Sequence, residues 1–214
     1  MEYMKKLKLK TGFTIAELTI ATLLIAGIAM IMMPSLVADN ERQVYATSLK
    51  KIYTDLQQTN QAIGLLIAKG EMQSGLNAIS AFKTALSKTK KMVNTSTYNG
   101  YLRGYKPQID PAVSFSSAIP NEDIFILKNG MFLFFDKDNN FVIDINGKKQ
   151  PNMTGKDIFY FTIEANSNLQ GENFITINPL NSNCPKEKSS CTTPVNCKGC
   201  AKRILEETGR IDYF

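Results

Sequence analysis

The chain contains no histidine and no tryptophan. Without imidazole there is no Ser/His or Cys/His nucleophile pair, no histidine acting as general base and no zinc site with a nitrogen ligand. Charge is also sparse, at 21% of 214 residues against 43% hydrophobic. A disordered tail carries less apolar matter than this and a polytopic transporter more. A concentrated basic stripe, the usual mark of a nucleic-acid binder, is missing too. The formal net charge is +6, but half of it lies in residues 1–12, where Lys5, Lys6, Lys8 and Lys10 outweigh Glu2. The other 202 residues hold 21 basic and 18 acidic side chains, a thin surplus. The expectation is one ordinary domain with an appendage, not an enzyme, and with no cofactor.

Apolar residues concentrate from Phe13 to Val37 (FTIAELTIATLLIAGIAMIMMPSLV). As a helix this run reaches about 37 Å, beyond the ~30 Å hydrocarbon core of a bilayer. Its one charged residue is Glu17; lysines precede it, and Asp39, Asn40, Glu41 and Arg42 follow. The positive-inside rule puts residues 1–12 in the cytoplasm and everything after residue 38 across the membrane. A cleaved secretory signal is a competing reading. The run is long for one, it contains an acid, and Leu36 stands where an exit near Ala38 wants a small residue. An uncleaved signal anchor is another, with Glu17 snorkelling to the interface.

The junction Lys10-Thr11-Gly12-Phe13-Thr14-Ile15-Ala16-Glu17-Leu18 resembles the processing site of type IV prepilins and of the pseudopilins of type II secretion systems. The resemblance implies a leader, residues 1–12, removed after Gly12 by a membrane prepilin peptidase. It implies N-methylation of the new amino terminus at Phe13, and it makes Glu17 the fifth mature residue. Pro34 falls where many pilins kink this helix. The close match covers about the first 37 residues.

Elementary electrostatics agrees with the role this family gives the glutamate. A carboxylate in hydrocarbon costs ~2.5–3.5 kcal/mol on insertion scales, and a partner cation offsets that cost. Cleavage at Gly12 would create such a cation on Phe13. A neighbouring subunit's Glu17 could meet it, its own subunit being unable to satisfy it as well. A staggered, non-closing contact of this kind generates an open filament. Gly27 and Pro34 weaken the same helix, which suits a segment that bends or extends on leaving the bilayer, although membrane helices also tolerate both.

Segments follow in order: residues 13–37 as transmembrane and filament-core helix, 38–69 as amphipathic stalk, 70–120 as a connecting region, 121–182 as sheet and 183–214 as a cysteine-rich end. In the stalk, Tyr45, Leu49, Ile52, Leu56, Thr59, Ile63 and Leu66 step by four and three, a single apolar seam. The seam is expected to pack on a following sheet, a free coiled coil being the alternative. Residues 76–93 form a second helix candidate through Leu76, Ile79, Phe82 and Leu86. Between Asn94 and Pro120, Tyr98, Tyr101 and Tyr105 interleave with Arg103 and Lys106. That pattern can stack bases, but it is more often a packed, solvated loop. Strands are expected at Asp123–Lys128, Met131–Phe135, Phe141–Ile145, Ile158–Ile163 and Phe174–Ile177, with a type I′ turn at Asn129-Gly130. The expected fold is α+β and pilin-like: a long N-terminal transmembrane-plus-stalk helix on an antiparallel sheet of four to five strands. The segment Asp144–Phe159 (DINGKKQPNMTGKDIF) loosely resembles a turn in pilin-like and pseudopilin globular domains.

Asp136, Asp138 and Asn140 have the spacing that opens a calcium loop, yet Phe141 and Gly147 stand where an EF-hand needs Gly and Glu. A different calcium site built from Asp136, Asp138, Asp144 or Asp157 stays open; turn formation by the same side chains is the stronger reading. Cys184, Cys191, Cys197 and Cys200 crowd near the carboxyl terminus. Outside the cytoplasm two disulfides are the first expectation, in any of three connectivities. A four-thiolate zinc site and a Cys197-x-x-Cys200 redox pair are the alternatives. The resemblance implies a structural subunit, a minor pilin before an abundant one, held in the inner membrane as a single-pass precursor with its globular part outside. Its partners would be the prepilin peptidase and other subunits, in a pilus-like filament. The alternatives are a secretion pseudopilin and a membrane-anchored binding module that never polymerises.

Overall fold

The computed structural model describes residues 12, 14–73, 76–90, 93–94, 124–127, 129–135, 139–150, 152–165, 175–185 and 197–213. Helix α1 is Ile15–Ala68, 54 residues long, and it runs unbroken through Gly27 and Pro34. It starts at Thr14, whose side chain caps the first turn. It stops at Gly70, which takes φ of 71°. There the Gly70 N–H donates to the Ile67 carbonyl (2.9 Å) and the Glu71 N–H to the Leu66 carbonyl (2.9 Å). These two bonds are the Schellman closure that a left-handed glycine permits.

Two compact units divide the chain, Met1–Glu41 and Arg42–Phe214. In the first, the apolar side chains of α1 face outward; Leu23 is 72% exposed and Ile31 81%. The hydroxyls there are internally satisfied. Thr19 donates to the Ala16 carbonyl (2.8 Å), Thr22 to Thr19 (2.9 Å) and Ser35 to Met32 (2.9 Å). A helix with this surface, long and apolar enough to cross a membrane, needs lipid or other protein around it.

In the second unit the rest of α1 buries Leu49, Ile52, Leu56, Thr59, Ile63 and Leu66, the expected seam. Each fully buried Leu or Ile contributes about 1.5–3 kcal/mol. The partner is an antiparallel meander whose strands lie in sequence order: β1 Val93–Asn94, β2 Ile124–Ile126, β3 Phe132–Phe135, β4 Asn140–Asp144, β5 Ile158–Ala165 and β6 Ile175–Pro179. The five expected strands are present, and the two-residue β1 is an addition. Across the helix-facing side, Phe135 pairs with Phe141 and Phe141 with Phe161. Their rings stack at 5.6 and 5.3 Å. Helix α2, Ala78–Lys90, sets Phe82 against Phe135 and Phe141. Asn77 caps it, accepting from the Ser80 N–H at 2.8 Å. The other side of the sheet is apolar as well, with Phe132, Phe134, Val142, Ile158 and Tyr160 buried. The α+β architecture is thus the pilin-like layout expected.

The β2–β3 turn departs from expectation. Of Asn129 and Gly130, only Gly130 takes a left-handed φ, 85°. Its N–H donates to the Leu127 carbonyl, and the Leu127 N–H donates to Met131, both at 2.9 Å. Asn129 keeps an ordinary φ, and its side chain accepts from the Met131 N–H (3.2 Å). The result is a longer loop closed by a left-handed glycine, in place of the type I′ turn.

Candidate functional site

The amino-terminal end of α1 is built from Thr14 and Glu17, three residues apart. The Thr14 N–H and hydroxyl both donate to Glu17 Oε2, at 2.8 and 2.9 Å. In return the Glu17 N–H donates to Thr14 Oγ1 at 3.2 Å. This reciprocal arrangement is a capping box, with threonine at N-cap and glutamate at N3. Within its own chain one Glu17 oxygen thus has two neutral donors and, among the described residues, no cationic partner. The signal was legible as T-x-x-E ahead of an apolar run. It is masked by the stronger pattern of a lone acid in hydrophobic surroundings.

Gly12 is exposed, and a Cβ placed on it would meet nothing within 4 Å. Neither packing nor a left-handed backbone demands glycine there. Phe13 lies outside the described residues. Pro34 sits inside the helical run.

Of the four calcium candidates, Asp136 and Asp138 lie outside the described residues. Asp144 and Asp157 are both fully buried, and both hold a turn together. Asp144 Oδ1 accepts from the N–H groups of Asn146 (3.1 Å) and Gly147 (2.7 Å). Asp157 accepts from Asn152 (2.7 Å) and Met153 (2.6 Å). The Asn152 amide nitrogen, turned toward the Lys149 and Gly147 carbonyls, donates to them at 2.7 and 2.8 Å. Gly147 cannot be larger, since a Cβ would stand 2.2 Å from the Gly130 carbonyl oxygen. Burial raises the carboxyl pKa of Asp157, although the bonds from Met153, Asn152 and Asn146 pull it down. Among the described residues no three potential metal ligands converge. The tyrosine- and lysine-bearing stretch around Tyr98, Tyr101, Arg103, Tyr105 and Lys106 lies outside the described residues.

At the carboxyl end Cys184 is bonded to Cys200, and Cys197 is disulfide-bonded as well; Cys191 lies outside the described residues. Because Cys200 is joined to Cys184, the Cys197-x-x-Cys200 redox pair and the four-thiolate zinc site are both excluded. The bridge ties the chain after β6 to helix α3, Cys200–Lys202, which continues as the π-helical turn Arg203–Thr208. Two features escaped the sequence reading. Arg203 pairs with Asp212 at 2.9 Å and donates to the Pro185 carbonyl at 2.9 Å. Fully buried Tyr213 donates from its hydroxyl to the Gly155 carbonyl at 2.6 Å. Burial pushes that phenol's pKa up, so it stays a donor.

The arrangement offers a capped, membrane-length helix start and a covalently closed globular end. No family model matches the chain, and neither a curated protein nor a solved structure is significantly similar to it.

Proposed function

We propose that the chain is a structural subunit of the type IV prepilin class, processed after Gly12 and methylated at Phe13. It assembles through α1 into a pilus-like filament, or into the pseudopilus of a secretion system. It is not an enzyme. The observation that carries this reading is the register of basic leader, Gly12, Phe13 and Glu17 at the head of a helix whose apolar surface is exposed over residues 15–37. Two structural facts support it. Gly12 is exposed, so it is open to a peptidase approaching from outside the chain. The two bonds from Thr14 fall on Glu17 Oε2, and a carboxylate can accept about four bonds across both oxygens. A cation from a neighbouring subunit can therefore bind without dismantling the cap. As a precursor the chain is anchored in the inner membrane by this helix, with the sheet domain outside the cytoplasm, where its disulfides persist.

The capping box also favours a second reading. If Glu17 is there to start a helix, the chain is an anchored binding module that does not polymerise. Mass spectrometry of the mature protein tests the first reading: residues 1–12 should be missing and Phe13 should carry one extra methyl group. An intact Met1 in the mature pool defeats it. Loss of filaments in Glu17→Ala with membrane insertion retained separates the two readings.

A further inference from the structure

In antiparallel pairing, residues of an edge strand alternate between facing their neighbour and facing away. The Leu180 N–H donates to the Tyr160 carbonyl (3.0 Å), and Thr162 lies opposite Asn178. Asn178 and Thr176 therefore face β5, while Ile175, Ile177 and Pro179 turn their backbone groups outward. Strand β6 is the last in the sheet, so this outward row is where a strand from another molecule would add.

Two acceptors of that row, the Ile175 and Ile177 carbonyls, are already taken. Tyr53 and Gln57 on α1 donate to the Ile177 carbonyl at 3.3 and 3.1 Å. Asn60 donates to the Ile175 carbonyl at 2.5 Å. The three lie at helical spacings of four and three, a polar row beside the apolar seam. The third outward residue is Pro179, which has no N–H to offer. We propose that Tyr53, Gln57 and Asn60, with Pro179, form an edge guard that stops β6 from pairing with β6 of a second copy of this chain. It goes beyond the filament reading and holds whether or not α1 polymerises.

One detail argues against simple stabilisation as the whole purpose of the row. Asn60 is only 3% exposed, and its Oδ1 has no hydrogen-bond partner. A buried unsatisfied oxygen destabilises a core; leucine at that position would remove it, but would leave the Ile175 carbonyl without its donor. The amide is explained by the carbonyl it covers. Both lone pairs of the Ile177 oxygen are likewise taken by donors, so nothing remains there for an incoming N–H.

The test uses the full chain in detergent micelles, with the photocrosslinker p-benzoylphenylalanine in place of Asn178. Gln57→Leu/Asn60→Leu is compared with the guarded chain and with Ile52→Ala, a core-cavity control that leaves the row intact. The expected result is a rise of about tenfold to a hundredfold in dimer adducts mapping to residues 175–179, the factor set by freeing two hydrogen-bonding sites of ordinary net strength. The melting temperature of the double variant should fall, because the buried Ile175 carbonyl loses its Asn60 donor, but by less than that of Ile52→Ala. No rise in the double variant overturns the proposal, and so does an equal rise in Ile52→Ala, which would make the adduct a product of general unfolding. Should the double variant fail to fold, Gln57→Leu alone, at a half-buried position, decides by the same two criteria.

Discussion

Glutamine and alanine at position 17 separate two roles of one carboxylate. Glutamine still completes a capping box at N3 and keeps the start of α1; alanine removes both cap and charge. If countercharge pairing drives assembly, Glu17→Gln and Glu17→Ala lose filaments to the same extent, with insertion unchanged in both. Electron microscopy of sheared surface material reads the outcome, and filaments retained by glutamine alone would assign the effect to the cap. Asp157 supports a second single-residue prediction. Its folded-state pKa is raised by burial, so the folded chain holds that proton more tightly than the unfolded chain does. As pH climbs from the ordinary value of 3.8 through the folded one, the unfolded state ionises first and stability falls. An asparagine in its place cannot ionise, and it resembles the protonated acid in keeping one carbonyl acceptor. The melting temperature of Asp157→Asn relative to the natural chain should therefore rise as pH climbs above 3.8. A relative decline over that range would show that the two backbone bonds outweigh burial.

Among the elements, α1 and the strands were legible because their periods are strong and their cores are made by one chemistry. Leu49, Ile52, Leu56, Ile63 and Leu66 announce the seam, and the runs IFI, FLFF and FVID announce strands with no competing pattern. The polar row of Tyr53, Gln57 and Asn60 was not legible. Polar residues beside a seam look solvated until a strand edge is placed against them, and that placement is a tertiary fact. Strand β1 escaped for a related reason: two residues carry no period, and only their partner, Ile126 with Phe125, defines them. At the site, T-x-x-E was readable, whereas the Arg203–Asp212 and Tyr213–Gly155 contacts join segments that sequence spacing cannot bring together. Gly199 gives the element-scale prediction. A Cβ there would stand 1.8 Å from the Ser182 carbonyl oxygen, in backbone that cannot swing aside. Gly199→Ala should part the 181–184 segment from α3 and slow oxidation of the Cys184–Cys200 pair. Thiol labelling during refolding measures this, and a rate equal to that of the natural chain would mean the backbone yields.

For the molecule as a whole, the stability of the unit Arg42–Phe214 depends on how its carboxyl end is fastened. Among the ties that hold it are the Cys184–Cys200 bridge, the Arg203–Asp212 pair and the Tyr213–Gly155 hydrogen bond. The bridge spans a sequence separation of 16, and closing a loop of that size stabilises by about 3 kcal/mol in the chain-entropy model. Tyr213→Phe leaves the buried Gly155 carbonyl without its donor, at a cost of about 1–3 kcal/mol. These losses should not add. With Cys184→Ala/Cys200→Ala the end loses its bridge at α3 and keeps only the Cys197 disulfide ahead of it, and part of the ordering that presents Tyr213 to Gly155 must then be supplied by the hydrogen bond itself. Residues coupled through one substructure show interaction energies of about 0.5–3 kcal/mol. Tyr213→Phe should consequently cost less in the bridge-free background than in the intact one, by at least ~0.5 kcal/mol. Urea unfolding of the four chains in the cycle, followed by tyrosine-independent circular dichroism, gives the difference directly. Equal costs in both backgrounds would mean that Tyr213 is held by the sheet alone and that the disulfide fastens only α3.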